Sequence, residues 1–367
     1  MNMQLVIGGR SLTLNQLGNP LDNAFIALHA AYFGNQALDW QTFSGAALQF
    51  FDTNPAPAAH DQYFNNFTII WSEFLGARRY TEAEYIWEMA LEPALQWEQA
   101  HAGHRLHKGT PYYFWGMTAL LRGDLDTGYL LMHQGVEEDR LTHGQNAPDT
   151  PGYALVSLNG DKPDQAFRPW VLAQAAFLDE RIAGYNHTHG RGLTIQSFKQ
   201  RFLNTPPSTD AVFLLSYTIA RLRNLARLPV HATASQFAGQ LEMNLLFDLT
   251  LVVDAAIKAK HPNSRFIEHA ETLLRIAAQP LTNAELREIN GAFNNDFDAT
   301  MQGMLGSTYR LSSGNVLNGF QCDVAIAYGV RNYGAHDVAS PPAMGDRFPD
   351  IQQAIFRVLC ATVERLY

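Results

Sequence analysis

The chain has 367 residues, 47% of them hydrophobic, which is enough for about two to three domains with packed cores. Its formal net charge of -9 excludes a protein coated in basic surface, such as one that captures nucleic acid over long distances. Residues 1–205 carry 13 Lys/Arg against 20 Asp/Glu, and residues 206–367 carry 13 against 15. A local cleft in the nearly neutral C-terminal part could therefore still attract a polyanion, with modest and salt-sensitive affinity.

Export signals and cysteine pairs are not predicted. Residues 1–10 contain too short an apolar stretch for a secretory signal, and no later segment reaches the roughly 18 apolar residues of a membrane helix. We therefore expect a cytoplasmic protein. Cys322 and Cys360 lie in apolar, helix-like segments without Cys-x-x-Cys spacing, which favours buried free thiols over a disulfide or a zinc site.

The N-terminal part begins with a predicted β-hairpin and continues as helices. Polar and apolar residues alternate over residues 4–14, with Gly8-Gly9 at the expected turn. From Phe64 to His143 the apolar residues recur at helical spacing, and Gly76 and Gly123 each close such a run. This pattern predicts two helical hairpins.

Two segments of this region resemble tetratricopeptide repeats. Residues 79–92 resemble the second helix of such a repeat and residues 113–124 resemble a first helix, so that the likeness covers residues 64–143. Gly76 and Gly123 are 47 residues apart, whereas the family's period is about 34, which suggests degenerate repeats with an insertion. The resemblance implies a concave surface for a partner protein. The alternative is an irregular all-helical domain without such a surface.

The central region contains the predicted domain boundary. A helix is expected over residues 169–183, followed by an exposed loop over residues 185–192. Residues 204–210 then contain two prolines that end one helix, and Ser208 or Thr209 can cap the next. We place the boundary here, with a sensing or recruitment domain over residues 1–205 and a helical bundle over residues 206–367.

The C-terminal part has the periodicity of a helical bundle throughout. Thr282 and Glu285 have the spacing of a capping box. The expected helices cover residues 213–228, 237–260, 266–278, 282–293, 319–330 and 350–366.

Histidine and aromatic clusters provide further candidates. His101, His104 and His107 are spaced to line one helix face, and His187 and His189 have a spacing seen in metal ligands, but solvated histidines are the favoured interpretation. The run over residues 112–115 is all aromatic. Core packing explains it most simply, and a wall on which a base stacks is the alternative.

The most informative motif is Arg331, Asn332 and His336, at the end of the apolar run over residues 319–330. Four residues separate the arginine from the histidine. A fixed cation and an imidazole that titrates near neutral pH are the groups needed to cleave RNA without a metal. This arrangement resembles the HEPN family of ribonuclease and nucleotide-binding domains, whose signature is an arginine, a following polar residue and a histidine in a helical bundle. The resemblance covers residues 208–367.

The HEPN resemblance implies a homodimer in which two motifs meet to form one composite site, with no metal or other cofactor. His336 would transfer a proton, Arg331 would stabilise the phosphorane, and Asn332 would bind phosphate or orient the histidine. Glu242 and Asp248 are weaker candidates for acidic residues that approach the arginine, and an exposed helix face is the favoured interpretation for both. Cleavage would leave a 2′,3′-cyclic phosphate or 3′-phosphate and a 5′-hydroxyl.

The sequence therefore predicts an all-α protein whose C-terminal bundle binds and cuts RNA. Family analogy points to a toxin or effector of bacterial antiphage defence, with a partner protein or antitoxin at the N-terminal domain. The alternatives are a non-catalytic HEPN-fold adaptor and an RNA- or nucleotide-binding module without cleavage.

Overall fold

The computed structural model describes residues 2–7, 10–34, 37–54, 57–144, 146–161, 167–204, 209–227, 236–262, 265–334 and 341–367. Helices dominate these residues, and the expected all-α fold is confirmed. The chain divides into two compact units, Met1–Tyr153 (unit 1) and Ala154–Tyr367 (unit 2). The boundary inferred from the sequence, between residues 205 and 206, stays a prediction. Within the described ranges, no helix combines the length and hydropathy needed to cross a bilayer.

Unit 1 begins with the predicted hairpin. Strands β1 (Asn2–Ile7) and β2 (Arg10–Asn15) pair antiparallel, with Leu5 opposite Leu12. Both leucines are buried, because alternate side chains along each strand face the helices and the others face solvent. Gly8 and Gly9, the predicted turn, lie outside the described residues. The side chain of Asn66 holds the hairpin by bonding both the N–H and the carbonyl of Asn15, at 2.7 and 2.9 Å.

The helices of unit 1 surround an aromatic core. Phe25 contacts the rings of Phe43, Tyr63 and Phe67 edge-on, and all four side chains are buried. Edge-to-face contacts of this kind add to the free energy of burial. The helices are α1 (Leu21–Gly34), α2 (Trp40–Thr53), α3 (Pro57–Gly76), α4 (Tyr80–Ala100), α5 (Gly109–Arg122) and α6 (Leu125–His143), with α7 (Pro151–Val156) at the division between the units.

The predicted helical hairpins are confirmed as the contacting pairs α3–α4 and α5–α6. Gly123 ends α5 in the left-handed region, at a φ of 86°, where residues with a side chain are strained. Small residues allow α5 and α6 to approach closely. A Cβ at Gly116 would lie 2.9 Å from the carbonyl oxygen of Gly128, and one at Gly128 would lie 2.6 Å from the Leu120 side chain.

Unit 2 is a helical bundle in which the C-terminal helix is central. Its elements are α8 (Arg168–His189), α9 (Ile195–Phe198) with a π-helical turn (Lys199–Leu203), α10 (Thr209–Leu225), α11 (Gln236–Lys260), α12 (Phe266–Ile276), α13 (Asn283–Asn295), α14 (Phe297–Leu305), α15 (Gly319–Gly334), α16 (Pro342–Asp346) and α17 (Phe348–Leu366). Helix α17 contacts α8, α11 and α15. The Thr282–Glu285 capping box is present, and Cys322 and Cys360 are buried free thiols, as predicted.

The exposed loop predicted over residues 185–192 is wrong for residues 185–189, which are helical. Helix α8 continues through this polar stretch and ends at Gly190, which has a φ of 61°. The helix persists because Tyr185 and His189, one turn apart, both face the bundle. The Tyr185 hydroxyl donates to Glu364 of α17 at 2.7 Å, and His189 bonds Asp323 of α15.

We predict that Gly116→Ala lowers the free energy of unfolding by about 1–3 kcal/mol, since the added Cβ would meet backbone atoms of α6 that cannot rotate away. Gly45 of α2 is the matched control, because a Cβ there meets nothing within 4 Å. Gly45→Ala should raise the free energy of unfolding by about 0.5–1 kcal/mol. Urea denaturation measures both, and equal effects at the two glycines would contradict the close approach of α5 and α6.

Candidate functional site

Helix α15 is the platform for the predicted motif. Its residues from Cys322 to Val330 are buried without interruption. Gly329 allows a close approach to α13, since a Cβ there would lie 2.5 Å from the ring of Phe293. At the helix end, a Cβ at Gly334 would lie 2.9 Å from Phe247 of α11. Packing against two helices thus fixes both the register and the last turn of α15.

Arg331 lies in that last turn and is half-buried. A cation at this position interacts favourably with the C-terminal end of the helix dipole. The structure therefore places Arg331 at the end of a rigid helix, where the sequence predicted it. His336 lies outside the described residues, so its distance from Arg331 stays a prediction.

Asn332 and Tyr333 attach the last turn of α15 to its neighbours. The Asn332 side-chain amide donates to Oδ1 of Asn290 in α13 at 2.8 Å. The Tyr333 ring packs on Phe297 of α14, with 4.5 Å between ring centroids. The Asn332 amide thus has a structural bond within unit 2, in addition to any role toward phosphate.

The two candidate acids do not form a pair. Six positions along a helix correspond to about 120° of rotation, so Glu242 and Asp248 face different directions from α11. Asp248 accepts a hydrogen bond from Nη1 of Arg221 in α10 at 3.0 Å. Burial raises the pKa of Asp248, and the Arg221 charge offsets part of that effect. Asp248 therefore forms a partly buried ion pair with Arg221 that joins α10 and α11.

Glu242 is buried, so the exposed helix face favoured for it is wrong. Its Oε2 is buried without a hydrogen-bond partner among the described residues. Burial raises the pKa of Glu242 to about 7, because the buried carboxylate loses its hydration. Glu242 lies on α11, the helix that also contacts the end of α15 at Gly334.

A polar cluster that the sequence did not predict lies nearer the N-terminal end of α15. The buried carboxylate of Asp323 accepts hydrogen bonds from Nε of Arg357 at 2.8 Å and from a second guanidinium nitrogen of the same residue. His189 contacts the same carboxylate, with 2.9 Å between Nε2 and Oδ2. Asp323, Arg357 and His189 form what we call the Asp323 cluster. The signal in the sequence was a charged residue, Asp323 or Arg357, inside an apolar stretch of each of two helices.

Among the histidines of unit 1 expected to be solvated, His104 is exposed and His107 is not. Residues 101, 104 and 107 follow the end of α4 instead of lining it. His107 is mostly buried between two carboxylates, with 2.8 Å from Nδ1 to Asp61 and 2.7 Å from Nε2 to Asp139. Burial lowers the pKa of His107, but the bonds to Asp139 and Asp61 outweigh it and the net shift is upward. No His, Cys, Asp and Glu group suited to a metal ion occurs in the part of the chain that is described.

The aromatic run over residues 112–115 divides between the core and the surface. Tyr113 is buried and donates to Asp139, and Phe114 stacks on Trp87 with 5.7 Å between ring centroids. Core packing is thus confirmed for these two. Tyr112 and Trp115 instead line an open groove between α4 and α5.

We predict that Glu242 makes the stability of unit 2 depend on pH. A folded-state pKa near 7, above the usual 4.5, means that its contribution is fully present below about pH 4.5 and is lost as pH rises to 7. The free energy of unfolding of the native protein, relative to Glu242→Gln, should therefore fall by about 1–3 kcal/mol between pH 4.5 and 8. Chemical denaturation at several pH values tests this.

Glu180→Gln is the control for that series, because the Glu180 side chain is 69% exposed. Its difference from the native protein should change little over the same pH range. A pH-independent difference for Glu242→Gln would show that the Glu242 carboxyl titrates normally.

No protein-family model, no curated protein and no solved structure matches this chain.

Proposed function

We propose that unit 2 is a metal-independent endoribonuclease whose catalytic residues are Arg331, Asn332 and His336. The observation that carries the proposal is the placement of Arg331 and Asn332 in the last turn of a helix that is buried up to Val330. Rigid support of this kind is what phosphate recognition requires, because catalysis depends on positions held to a fraction of an ångström. The same proposal includes a HEPN-like fold for residues 208–367 of this bundle.

The distribution of charge supports RNA as the substrate of unit 2. Residues 154–367 contain 19 Lys/Arg and 19 Asp/Glu, whereas residues 1–153 contain 7 against 16. A polyanion approaching unit 2 meets no net repulsion from that unit's own residues. Arg331 then provides a local cation for phosphate in neutral surroundings.

The proposed reaction is internal transfer of the phosphoryl group. The ribose 2′-oxygen attacks phosphorus as the bond to the 5′-oxygen breaks. His336 accepts the 2′-hydroxyl proton or supplies the proton to the leaving oxygen, and Arg331 stabilises the charge on the phosphorane oxygens. The products are a 2′,3′-cyclic phosphate and a 5′-hydroxyl. Glu242, with a pKa of about 7, is a supporting group that can hold a proton at working pH.

Two copies of the chain complete the proposed site. One motif contributes one arginine and one histidine, and the HEPN resemblance places two motifs face to face across a dimer of unit 2. The proposed biological role is a cytoplasmic toxin or effector of bacterial antiphage defence.

A non-catalytic role of the motif is the second candidate, and one observation favours it. The Asn332 amide already bonds Asn290, and Arg331 is half-buried, as expected for residues that hold helices together. Under this alternative, unit 2 is an adaptor or binds RNA or a nucleotide without cleaving it.

We predict that purified protein cleaves end-labelled RNA in excess chelator, and that Arg331→Ala and His336→Ala each reduce the rate by at least about 100-fold. Arg275→Ala and His187→Ala are matched controls, since both are exposed residues in the last turn of a helix. RNA with a 2′-deoxy substitution at the cleavage position should remain intact.

Three outcomes separate the candidates. Binding without cleavage by the native protein would support the RNA-binding module. Cleavage that survives both substitutions would refute the assignment of the site. Sedimentation equilibrium should show a dimer at concentrations where the protein is active, and activity of a strict monomer would refute the composite site.

A further inference from the structure

An open groove lies between α4 and α5, entirely within unit 1. It has a volume of about 600 Å³, which is within the range of sites that hold ligands or peptide side chains. We call it the α4–α5 groove. Its principal lining residues are Glu88, Glu92, Leu95, Gln99, Tyr112 and Trp115.

One wall of the groove is acidic. Glu88 and Glu92 are exposed and lie one turn apart on α4, so their carboxylates are neighbours on one face of the helix. Oε2 of Glu92 accepts a hydrogen bond from Nε1 of Trp40 at 2.9 Å, which orients this carboxylate. Among the described residues that line the groove, none is lysine or arginine. Both carboxylates are thus available to a cation from outside.

The opposite wall is aromatic. Tyr112 and Trp115 are three residues apart on α5, so they share a face, and both pack partly against the core of unit 1. Burial, followed by the charges of Glu138 and Glu98, raises the pKa of Tyr112 to about 12, so its phenol stays neutral. Indole and phenol faces attract lysine and arginine side chains. Leu95, 39% exposed, adds an apolar contact.

The charge of the whole unit favours the same class of ligand. Residues 1–153 account for the full net charge of -9, with 7 Lys/Arg against 16 Asp/Glu, while residues 154–367 are balanced. Unit 1 therefore attracts cations over long range and repels RNA and anionic lipid surfaces. Aromatic stacking of nucleic-acid bases in this groove would require phosphates beside two carboxylates.

We propose that the α4–α5 groove binds a basic, amphipathic segment of a partner protein. Lysine or arginine side chains one helical turn apart on that segment pair with Glu88 and Glu92. One cation lies against the ring of Trp115, and an apolar side chain between them contacts Leu95. This binding is independent of the nuclease activity proposed for unit 2.

The test uses a fluorescein-labelled helical peptide with lysines at i and i+4 and leucines on the adjacent stripe, titrated with full-length protein in fluorescence anisotropy. A second peptide has glutamates in place of the lysines, and a third probe is a labelled single-stranded RNA. We expect saturable binding of the basic peptide alone, which weakens as salt increases. The combined Glu88→Gln and Glu92→Gln variant should bind it about five- to tenfold more weakly.

A control variant removes the same charge elsewhere in unit 1. The combined Glu137→Gln and Asp149→Asn variant changes two carboxylates outside the groove, and its affinity should stay within about twofold of the native protein. Equal losses in both double variants would mean that only net charge matters, and would overturn the site. Absence of peptide binding, or tighter binding of the acidic peptide or of RNA, would overturn the proposal as well.

Folding and nuclease activity are checked on the same samples. Both glutamates are exposed, so thermal unfolding of the double variant should match that of the native protein. RNA cleavage by the double variant should equal that by the native protein, so failure of peptide binding and failure of the nuclease proposal are distinguishable.

Discussion

The carboxylate of Asp323 is the constraint on which the arrangement of unit 2 depends. It lies inside the buried stretch of α15 from Cys322 to Val330 and bonds Arg357 of α17 and His189 of α8. A buried charge without its partner costs several kcal/mol, so these three helices cannot slide past each other independently. Arg331 follows Asp323 on the same helix by about two turns. The positions of Arg331 and Asn332 at the end of α15 therefore depend on an ion pair about two turns away.

Charge separates the two units as clearly as their packing does. Unit 1 carries the entire net negative charge, and unit 2 is balanced. The two proposals follow this division: a cationic segment is the proposed ligand of the first unit, and RNA is the proposed substrate of the second. The two proposals are also independent of each other, because neither proposed site contains a residue from the other unit.

The fold could largely be predicted from the sequence, because helix periodicity and capping are local. The Thr282 capping box, the hairpin and the buried run of α15 were all predicted. The errors concern polar residues whose partners are distant in sequence. His189 meets a carboxylate 134 residues away, and His107 meets carboxylates 46 and 32 residues away. Glu242 was expected to be exposed and is buried, because nothing in the local sequence distinguishes a buried glutamate from an exposed one. The pairing of Arg331 with His336 remains a prediction from the motif.

His107 gives unit 1 the same dependence on protons that Glu242 gives unit 2. Its two carboxylate partners raise its pKa on folding, so its contribution to stability is complete below the usual 6.5 and is lost as pH rises through the folded value. One group gains a charge on binding its proton and the other loses one. Both nevertheless hold a proton more tightly in the folded state. Folding near neutral pH therefore takes up protons in both units, and the measured enthalpy of unfolding will include the ionisation enthalpy of whichever buffer accepts them.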